Sequence, residues 1–211
     1  MPKILPFERE PRRYDRWFDD HDAAYRSELA AIRELLPPRP GRALEIGSGT
    51  GRFALPLGIR EGVEPSPAMR RRSAARGLHA IDGVAEALPF DDARFDLVLM
   101  VTTICFVDDA AQSCREAARV LHPGGRFIVG LVDRDSFLGE SYEARRKESV
   151  FYRDARFFSA AEVVDFMKDA GMREFRFRQT LFSMPAELAG PDSIREGYGE
   201  GGFAAISGER G

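Results

Sequence analysis

The chain has 211 residues, of which 44% are hydrophobic and 31% are charged, and its formal net charge is −3. This composition is typical of a globular protein and excludes collagen-like and disordered chains. At roughly 100 to 200 residues per domain, the length predicts a single domain over residues 1–211. The slightly acidic balance provides no global positive field for nucleic acid or an anionic membrane, so we expect no DNA partner.

The sequence shows no pattern of a metal site, a disulfide framework or a targeting signal. Its only cysteines are Cys105 and Cys114, and no Cys/His cluster has the spacing of zinc ligands. The first residues lack the apolar core of a secretory signal, and no apolar run approaches the ~20 residues that span a bilayer. We therefore expect no metal, no membrane span and a cytoplasmic location.

Residues 1–40 are predicted to form a helical cap. Apolar residues at helical spacing predict a helix over residues 13–36, which ends at a proline-rich connector, Pro37-Pro38-Arg39-Pro40. Four aromatic residues lie on this segment: Tyr14, Trp17, Phe18 and Tyr25. They suggest a lid over a ligand, with an amphipathic helix packed on a sheet as the alternative.

Residues 41–132 alternate between short apolar runs and helical stretches, which predicts a core of parallel βαβ units. The predicted strands are 42–46, 62–64, 79–81, 95–101 and 126–132, and the predicted helices include 67–76 and 108–121. Strand 95–101 is apolar on both faces, as expected for a central strand.

The remaining chain divides into a variable segment, 133–158, and a C-terminal part, 159–211. Candidate acceptor contacts in the variable segment are Asp133, Arg134, Asp135, Tyr142 and Tyr152. The capping box Ser159-Ala160-Ala161-Glu162 predicts a helix to about residue 170. Two strands, near 174–182 and 202–207, follow without a helix between them, which indicates an antiparallel pair.

The most informative stretch is Leu-Glu-Ile-Gly-Ser-Gly-Thr-Gly, residues 44–51. A strand leads into a glycine-rich turn, which we expect a helix to follow, and glycines there let the backbone approach a ligand. Arg52 occupies the position where the dinucleotide fingerprint requires its third glycine. Glu45 would repel a pyrophosphate and attract an ammonium group. Both residues argue against a nicotinamide-dependent oxidoreductase.

Three further motifs follow in order: Gly-Val-Glu-Pro-Ser at 62–66, Ala-Glu-Ala-Leu-Pro-Phe at 85–90 and Arg-Val-Leu-His-Pro-Gly-Gly at 119–125. Glu64 ends a predicted strand, where a carboxylate can accept hydrogen bonds from both hydroxyls of a ribose. With the glycine turn, these motifs resemble the class I S-adenosylmethionine-dependent methyltransferases. The small-molecule branch that includes the quinone-biosynthesis C-methyltransferases is the most similar.

The resemblance implies S-adenosylmethionine as the cofactor and a Rossmann-like fold. We expect a seven-stranded sheet of order 3-2-1-4-5-7-6, parallel except for one strand, with helices on both faces. The residues implied to contact the cofactor are Tyr14, Glu45, Gly47, Ser48, Gly49, Glu64, Pro65, Ala85, Glu86 and Thr102. Val84 stands where many relatives have an aspartate that binds the adenine amino group.

The implied reaction is methyl transfer to a small-molecule acceptor by in-line displacement. The cofactor's methyl group is already electrophilic, so no residue is identified as catalytic. A non-catalytic S-adenosylmethionine-binding protein of the same fold and an RNA methyltransferase remain alternatives. The identity of the acceptor, the atom methylated and the oligomeric state are not determined by the sequence.

Overall fold

A computed structural model describes residues 3–211 of the chain. The N-terminal cap consists of α1 (Leu5–Arg9), α2 (Pro11–Asp20) and α3 (Asp22–Arg33). The prediction of one helix over 13–36 is wrong, because His21 adopts non-helical angles (φ −124°, ψ 44°) between α2 and α3. A proline in the first turn of α1 and of α2 starts each helix where its missing N–H needs no partner.

The chain then alternates between strands and helices that build one mixed sheet. Its strands are β1 (Ala43–Ile46), β2 (Glu61–Val63), β3 (His79–Ile81), β4 (Phe95–Val101), β5 (Leu121–Val132), β6 (Met172–Thr180), β7 (Arg195–Glu196) and β8 (Phe203–Arg210). The remaining helices are α4 (Pro67–Ala75), α5 (Ala110–Val120), α6 (Phe137–Ala144) and α7 (Ala160–Asp169). The capping box at Ser159 and Glu162 starts α7 as predicted.

The strand order is β3-β2-β1-β4-β5-β8-β6-β7. The Rossmann-like class is confirmed, and without the two-residue β7 the order is the expected one. The prediction of seven strands is nevertheless wrong by one, because β7 pairs with the edge of β6 over only two residues. The expectation of one antiparallel strand is also wrong. Both β8 and β7 run against β1–β5, since β8 pairs antiparallel with β5 and β6, and β7 with β6.

The predicted helix after the glycine turn is replaced by turns and a short 3-10 helix, Leu55–Leu57. Pro56 lacks an N–H, and Gly58 ends the segment in the left-handed region (φ +81°). An α-helix therefore cannot continue here.

Both faces of the sheet are covered, and strand β4 shows this directly. Val98 and Met100 belong to one buried apolar cluster, together with side chains of α5 and α7. Leu97 and Leu99 belong to the other cluster, together with side chains of α2 and α3. The cap therefore packs into the core of the sheet.

Among residues 3–211, no helix is long and apolar enough to cross a membrane. The same part of the chain contains no group of His, Cys, Asp or Glu side chains that could hold a metal ion.

Candidate functional site

A cavity of about 160 Å³ lies at the carboxyl ends of the parallel strands. Its walls include the residues at or just after the ends of β1, β2 and β4, which are Ile46, Gly47, Val63, Glu64, Val101 and Thr102. Ligands of open α/β sheets bind at this edge. The topology thus places the sequence motifs around one space.

The glycine turn and Glu64 form one hydrogen-bonded unit. Glu64 is buried, and its Oε2 accepts a hydrogen bond from the Gly49 N–H at 2.9 Å. Its Oε1 accepts one from the Ser66 N–H at 2.8 Å, just where Ser66 caps α4. Burial raises the pKa of Glu64 against the opposing effect of these two bonds. The carboxylate therefore braces the turn before any ligand binds, which the sequence does not reveal.

Gly47 is the position in the turn that tolerates a side chain least. Its φ is +66°, and a Cβ built there lies 2.3 Å from Cγ2 of Thr103. The Thr103 hydroxyl lies within hydrogen-bond distance of two acceptors, the carbonyl oxygens of Gly47 and Val101, which fixes that side chain. Because Gly47 has no Cβ, the glycine turn and the segment after β4 that carries Thr103 can come into contact.

We expect Gly47→Ala to reduce the free energy of unfolding by about 2 to 4 kcal/mol, because it combines left-handed strain with a steric overlap. Gly58→Ala is the matched control, since Gly58 has φ +81° and nothing within 4 Å of its built Cβ. This control should lose only about 1 to 2 kcal/mol. Urea denaturation measures both variants. Equal losses would contradict the role of the contact with Thr103.

Four other residues that the motifs predict also line the cavity: Pro65, Ala85, Glu86 and Thr102. Glu86 Oε1 accepts hydrogen bonds from the N–H groups of Asp108 and Asp109, so it joins two loops. Thr102 has φ +47°, a strained value of the kind that clusters at functional sites.

Two of the expected cofactor residues do not line the cavity. Glu45 is buried behind the turn, where its Oε2 accepts a hydrogen bond from the Ala54 N–H, and burial raises its pKa well above the usual value. The Ser48 hydroxyl is buried, has no hydrogen-bond partner among residues 3–211 and packs next to Gly62. The side chains of Glu45 and Ser48 therefore support the glycine turn without lining the cavity.

An ionic clasp joins the cap to the glycine turn and to α4. The buried Asp15 carboxylate accepts hydrogen bonds from Thr50, Arg52, Arg72 and Arg76. Burial acts to raise the pKa of Asp15, but the bonds from Thr50, Arg72 and Arg76 hold it below its usual value. This clasp keeps α2 over the site. Tyr14, one residue earlier, lines the cavity close to Gly49.

The end of the cavity beneath the cap is aromatic. Phe7, Tyr14, Trp17, Phe18, Phe106, Tyr142, Phe151 and Tyr152 line it. Of the five candidate acceptor contacts in 133–158, Tyr142 and Tyr152 lie in the cavity wall. The other three do not: Asp133 accepts hydrogen bonds from the backbone of Asp135 and Ala160, and Arg134 pairs with Asp135 and Glu162.

Sequence reasoning missed Glu28, which is 3% exposed and also lines the cavity. Burial raises its pKa to about 8. The missed signal is a glutamate inside the apolar stripe that Ala24, Ala31 and Leu35 form at helical spacing. A charge at such a position needs a reason, because buried acids are rare without a partner.

Glu28 predicts a pH dependence of stability. Its folded pKa of about 8 lies above the usual 4.5, so the folded state loses stability as pH rises through this window. The free energy of unfolding of Glu28→Gln, relative to the unmodified protein, should increase from pH 4.5 to 8 by up to ~5 kcal/mol. Asp22→Asn, an exposed change on α3, is the control. Denaturation across this pH range measures the effect, and a constant difference would contradict it.

The two cysteines are not nucleophiles in this structure. Cys105 and Cys114 are both buried, and burial raises the pKa of each thiol to about 12. Neither is a thiolate at neutral pH.

Comparison with known proteins identifies the family. The family model described as "Methyltransferase domain" matches residues 44–129. An uncharacterized protein of Methanocaldococcus jannaschii is 43% identical over 204 residues, which cover 97% of this chain and 98% of that protein. A demethylmenaquinone methyltransferase of Roseiflexus castenholzii is 37% identical over 114 residues, 49% of this chain and 47% of that enzyme.

A crystal structure from Thermotoga maritima is similar over the full length. It is described as an S-adenosylmethionine-dependent methyltransferase and possible histamine N-methyltransferase. It is 52% identical, has a TM-score of 0.96 and covers 99% of this chain and 100% of its own. The sheet, the glycine turn, the acid after β2 and these relatives agree: the chain belongs to the S-adenosylmethionine-dependent methyltransferases, and S-adenosylmethionine is its cofactor.

Proposed function

We propose that the enzyme transfers the methyl group of S-adenosylmethionine to a small-molecule acceptor by in-line displacement. One observation carries this proposal. A single cavity extends from the glycine turn and Glu64 to an aromatic wall that contains Tyr142 and Tyr152. We assign the first end to the cofactor and the aromatic end to the acceptor.

The charge of the lining fits this cofactor. Glu64 and Glu86, which lie in the motifs, line the cavity, and Lys3 is the cation among the described lining residues. An acidic lining suits a sulfonium and an ammonium group. Glu64 and Glu86 would contact the ribose and adenine, with Pro65 and Ala85 beside them. Gly47, Gly49, Thr102 and Tyr14 would border the methionine part, with Glu45 and Ser48 supporting the turn.

The cofactor supplies an electrophilic methyl group, so the protein's task is to align the acceptor and exclude water. Alignment of two reactants contributes up to about 7 to 11 kcal/mol to a rate enhancement. The position of the cap supports this proposal. Glu8 of α1 accepts hydrogen bonds from the Ser66 hydroxyl and the Ala68 N–H, which holds α1 over the cavity beside α4.

Two relatives support a small acceptor of different chemistry. The Thermotoga maritima structure is described as a possible histamine N-methyltransferase, and the Roseiflexus castenholzii enzyme is a demethylmenaquinone methyltransferase. The Thermotoga maritima protein is similar to this chain over its full length, and the Roseiflexus castenholzii enzyme over about half of this chain. We therefore propose that the acceptor is a small molecule rather than a macromolecule.

The test is a screen for S-adenosylhomocysteine release. The protein is first titrated with S-adenosylmethionine by calorimetry, then incubated with the cofactor and either a small-metabolite extract or total RNA. We expect release with the metabolite extract. Release only with RNA would favour the RNA methyltransferase. Binding without release in either arm would favour a non-catalytic binding protein.

A further inference from the structure

Glu28 is a buried carboxylate with no partner in the described part of the chain. It lies on α3, its surface is 97% buried, and it faces the cavity that Tyr14 and Trp17 also line. Within residues 3–211, no hydrogen bond or ion pair engages its side chain, and burial alone shifts its pKa. A buried acid without a partner is costly, and because Glu28 lines the cavity, a ligand bound there can supply the missing partner.

The groups around Glu28 offer it no charge compensation. The Glu28 charge acts on four tyrosines: Tyr14, Tyr25, Tyr142 and Tyr152. Burial is the largest cause that raises the pKa of each, and the Glu28 charge is a smaller one. These tyrosines are therefore neutral at pH 7. Lys3 lines the same cavity but forms no ion pair with Glu28 in residues 3–211.

The cavity that Glu28 lines also has aromatic walls. The ring centroids of Phe106 and Tyr152 lie 5.7 Å apart at an interplanar angle of 13°, and those of Tyr142 and Tyr152 lie 5.2 Å apart at 36°. Aromatic faces attract cations, and a carboxylate among them completes a recognition site for an ammonium or a protonated ring nitrogen. A neutral quinone would leave the acid buried and unpaired, and a phosphate-bearing acceptor would be repelled.

We propose that the acceptor is a small organic amine and that Glu28 binds a protonated nitrogen of this acceptor at the aromatic end of the cavity, while a different atom of the acceptor, one with a free lone pair, receives the methyl group. This inference rests on the proposed function and assigns the substrate class of the same site. Glu28 determines specificity: it selects amines over neutral acceptors of equal size.

The test is calorimetry on the protein saturated with S-adenosylhomocysteine. The probes are histamine and 2-phenylethylamine, with 2-phenylethanol as the neutral counterpart of the latter. We expect the amines to bind and the alcohol to bind at least tenfold more weakly. Glu28→Gln should weaken amine binding by roughly 10- to 150-fold, the range for a charge-assisted hydrogen bond. Its affinity for S-adenosylhomocysteine should not change.

A second readout separates binding from a purely structural role. Since burial raises the pKa of Glu28 to about 8, the acid is mostly protonated at pH 7, and a bound ammonium restores the carboxylate. Amine binding should therefore release close to one proton at pH 7, measured from binding heats in buffers of different ionisation enthalpy. Glu28→Gln should release none. Asp22→Asn, on the exposed side of α3, should behave like the unmodified protein.

Three results would overturn the inference: no binding of either amine, equal affinity for the amine and the alcohol, or unchanged amine binding in folded Glu28→Gln. Failure of the proposed function looks different. If the extract screen yields a non-amine acceptor, methyl transfer stands and the amine assignment falls. If amines bind through Glu28 but no acceptor is methylated, the binding site stands and the proposed catalysis falls.

Discussion

Glu64→Ala is expected to weaken S-adenosylmethionine binding by roughly 10- to 150-fold, as the loss of a charge-assisted hydrogen bond to the ribose predicts. The carboxylate lies just after β2 in the cavity wall, where we propose that it binds the ribose hydroxyls. Calorimetry measures the affinity, and Glu64→Gln should lie between the two proteins because it keeps one acceptor oxygen.

Glu64→Ala is also expected to destabilise the fold. A carboxylate that only waits for a ligand could be removed without loss of stability, but Glu64 accepts hydrogen bonds from the N–H groups of Gly49 and Ser66. Glu64→Ala leaves both N–H donors buried without an acceptor. We therefore expect a loss of about 2 to 4 kcal/mol in the free energy of unfolding. Denaturation of the apo protein measures it.

Glu61→Ala is the matched control, because Glu61 begins the same strand but pairs with Arg42 and Arg94 at the partly exposed edge. It should bind S-adenosylmethionine with unchanged affinity. Unmodified affinity in folded Glu64→Ala would mean that the ribose is held elsewhere and would refute our placement of the cofactor.

Asp15→Ala should reduce the free energy of unfolding by about 3 kcal/mol. Removal of one partner of a buried ion pair typically costs about 3 to 5 kcal/mol, and the arginines here are partly exposed, which favours the lower end. The variant leaves Arg52, Arg72 and Arg76 without their shared acceptor. It should also weaken cofactor binding, because the clasp holds α2 against the glycine turn.

Asp19→Asn is the matched control for Asp15→Ala, because Asp19 lies on the same helix, α2, and also pairs with Arg52. The Asp19 side chain is 65% exposed and pairs with Arg52 at 2.9 Å. As a surface pair, it should contribute less than about 1 kcal/mol. The folded pKa of Asp15 is lowered. The contribution of Asp15 to the free energy of unfolding should therefore be present at neutral pH and disappear as pH falls below about 4. Similar losses in both variants would show that the clasp adds nothing beyond a surface pair.

The sequence predicted the part of the fold that depends on local pattern. Alternating apolar runs located the central strand Phe95–Val101, and the Ser159 capping box located the start of α7. The two-residue strand β7 is too short to produce a pattern of its own. The break at His21 depends on a single residue inside a stretch whose spacing is helical on both sides. Neither feature can be read from periodicity.

The site was predictable where a motif supplies a backbone position and was not where contacts decide. The motifs located the residues after β1 and β2, and eight of the ten expected cofactor residues line the cavity. The partner of Glu45, the Ala54 N–H, is set by turns that replace the expected helix. Glu28 required a tertiary view, since only the packing of α3 on the sheet shows that the acid faces a cavity.

The packing of α3 has a consequence for how ligands are held. Leu29, Ile32 and Leu35 are buried in the same apolar cluster as Leu97 and Leu99 of β4, so this part of the cap is anchored to the central strand. Glu28, on the same helix, is already in place when a ligand arrives. Binding there needs little ordering of the protein, so little conformational entropy is lost at this wall. Differences in affinity among acceptors should therefore reflect their direct contacts.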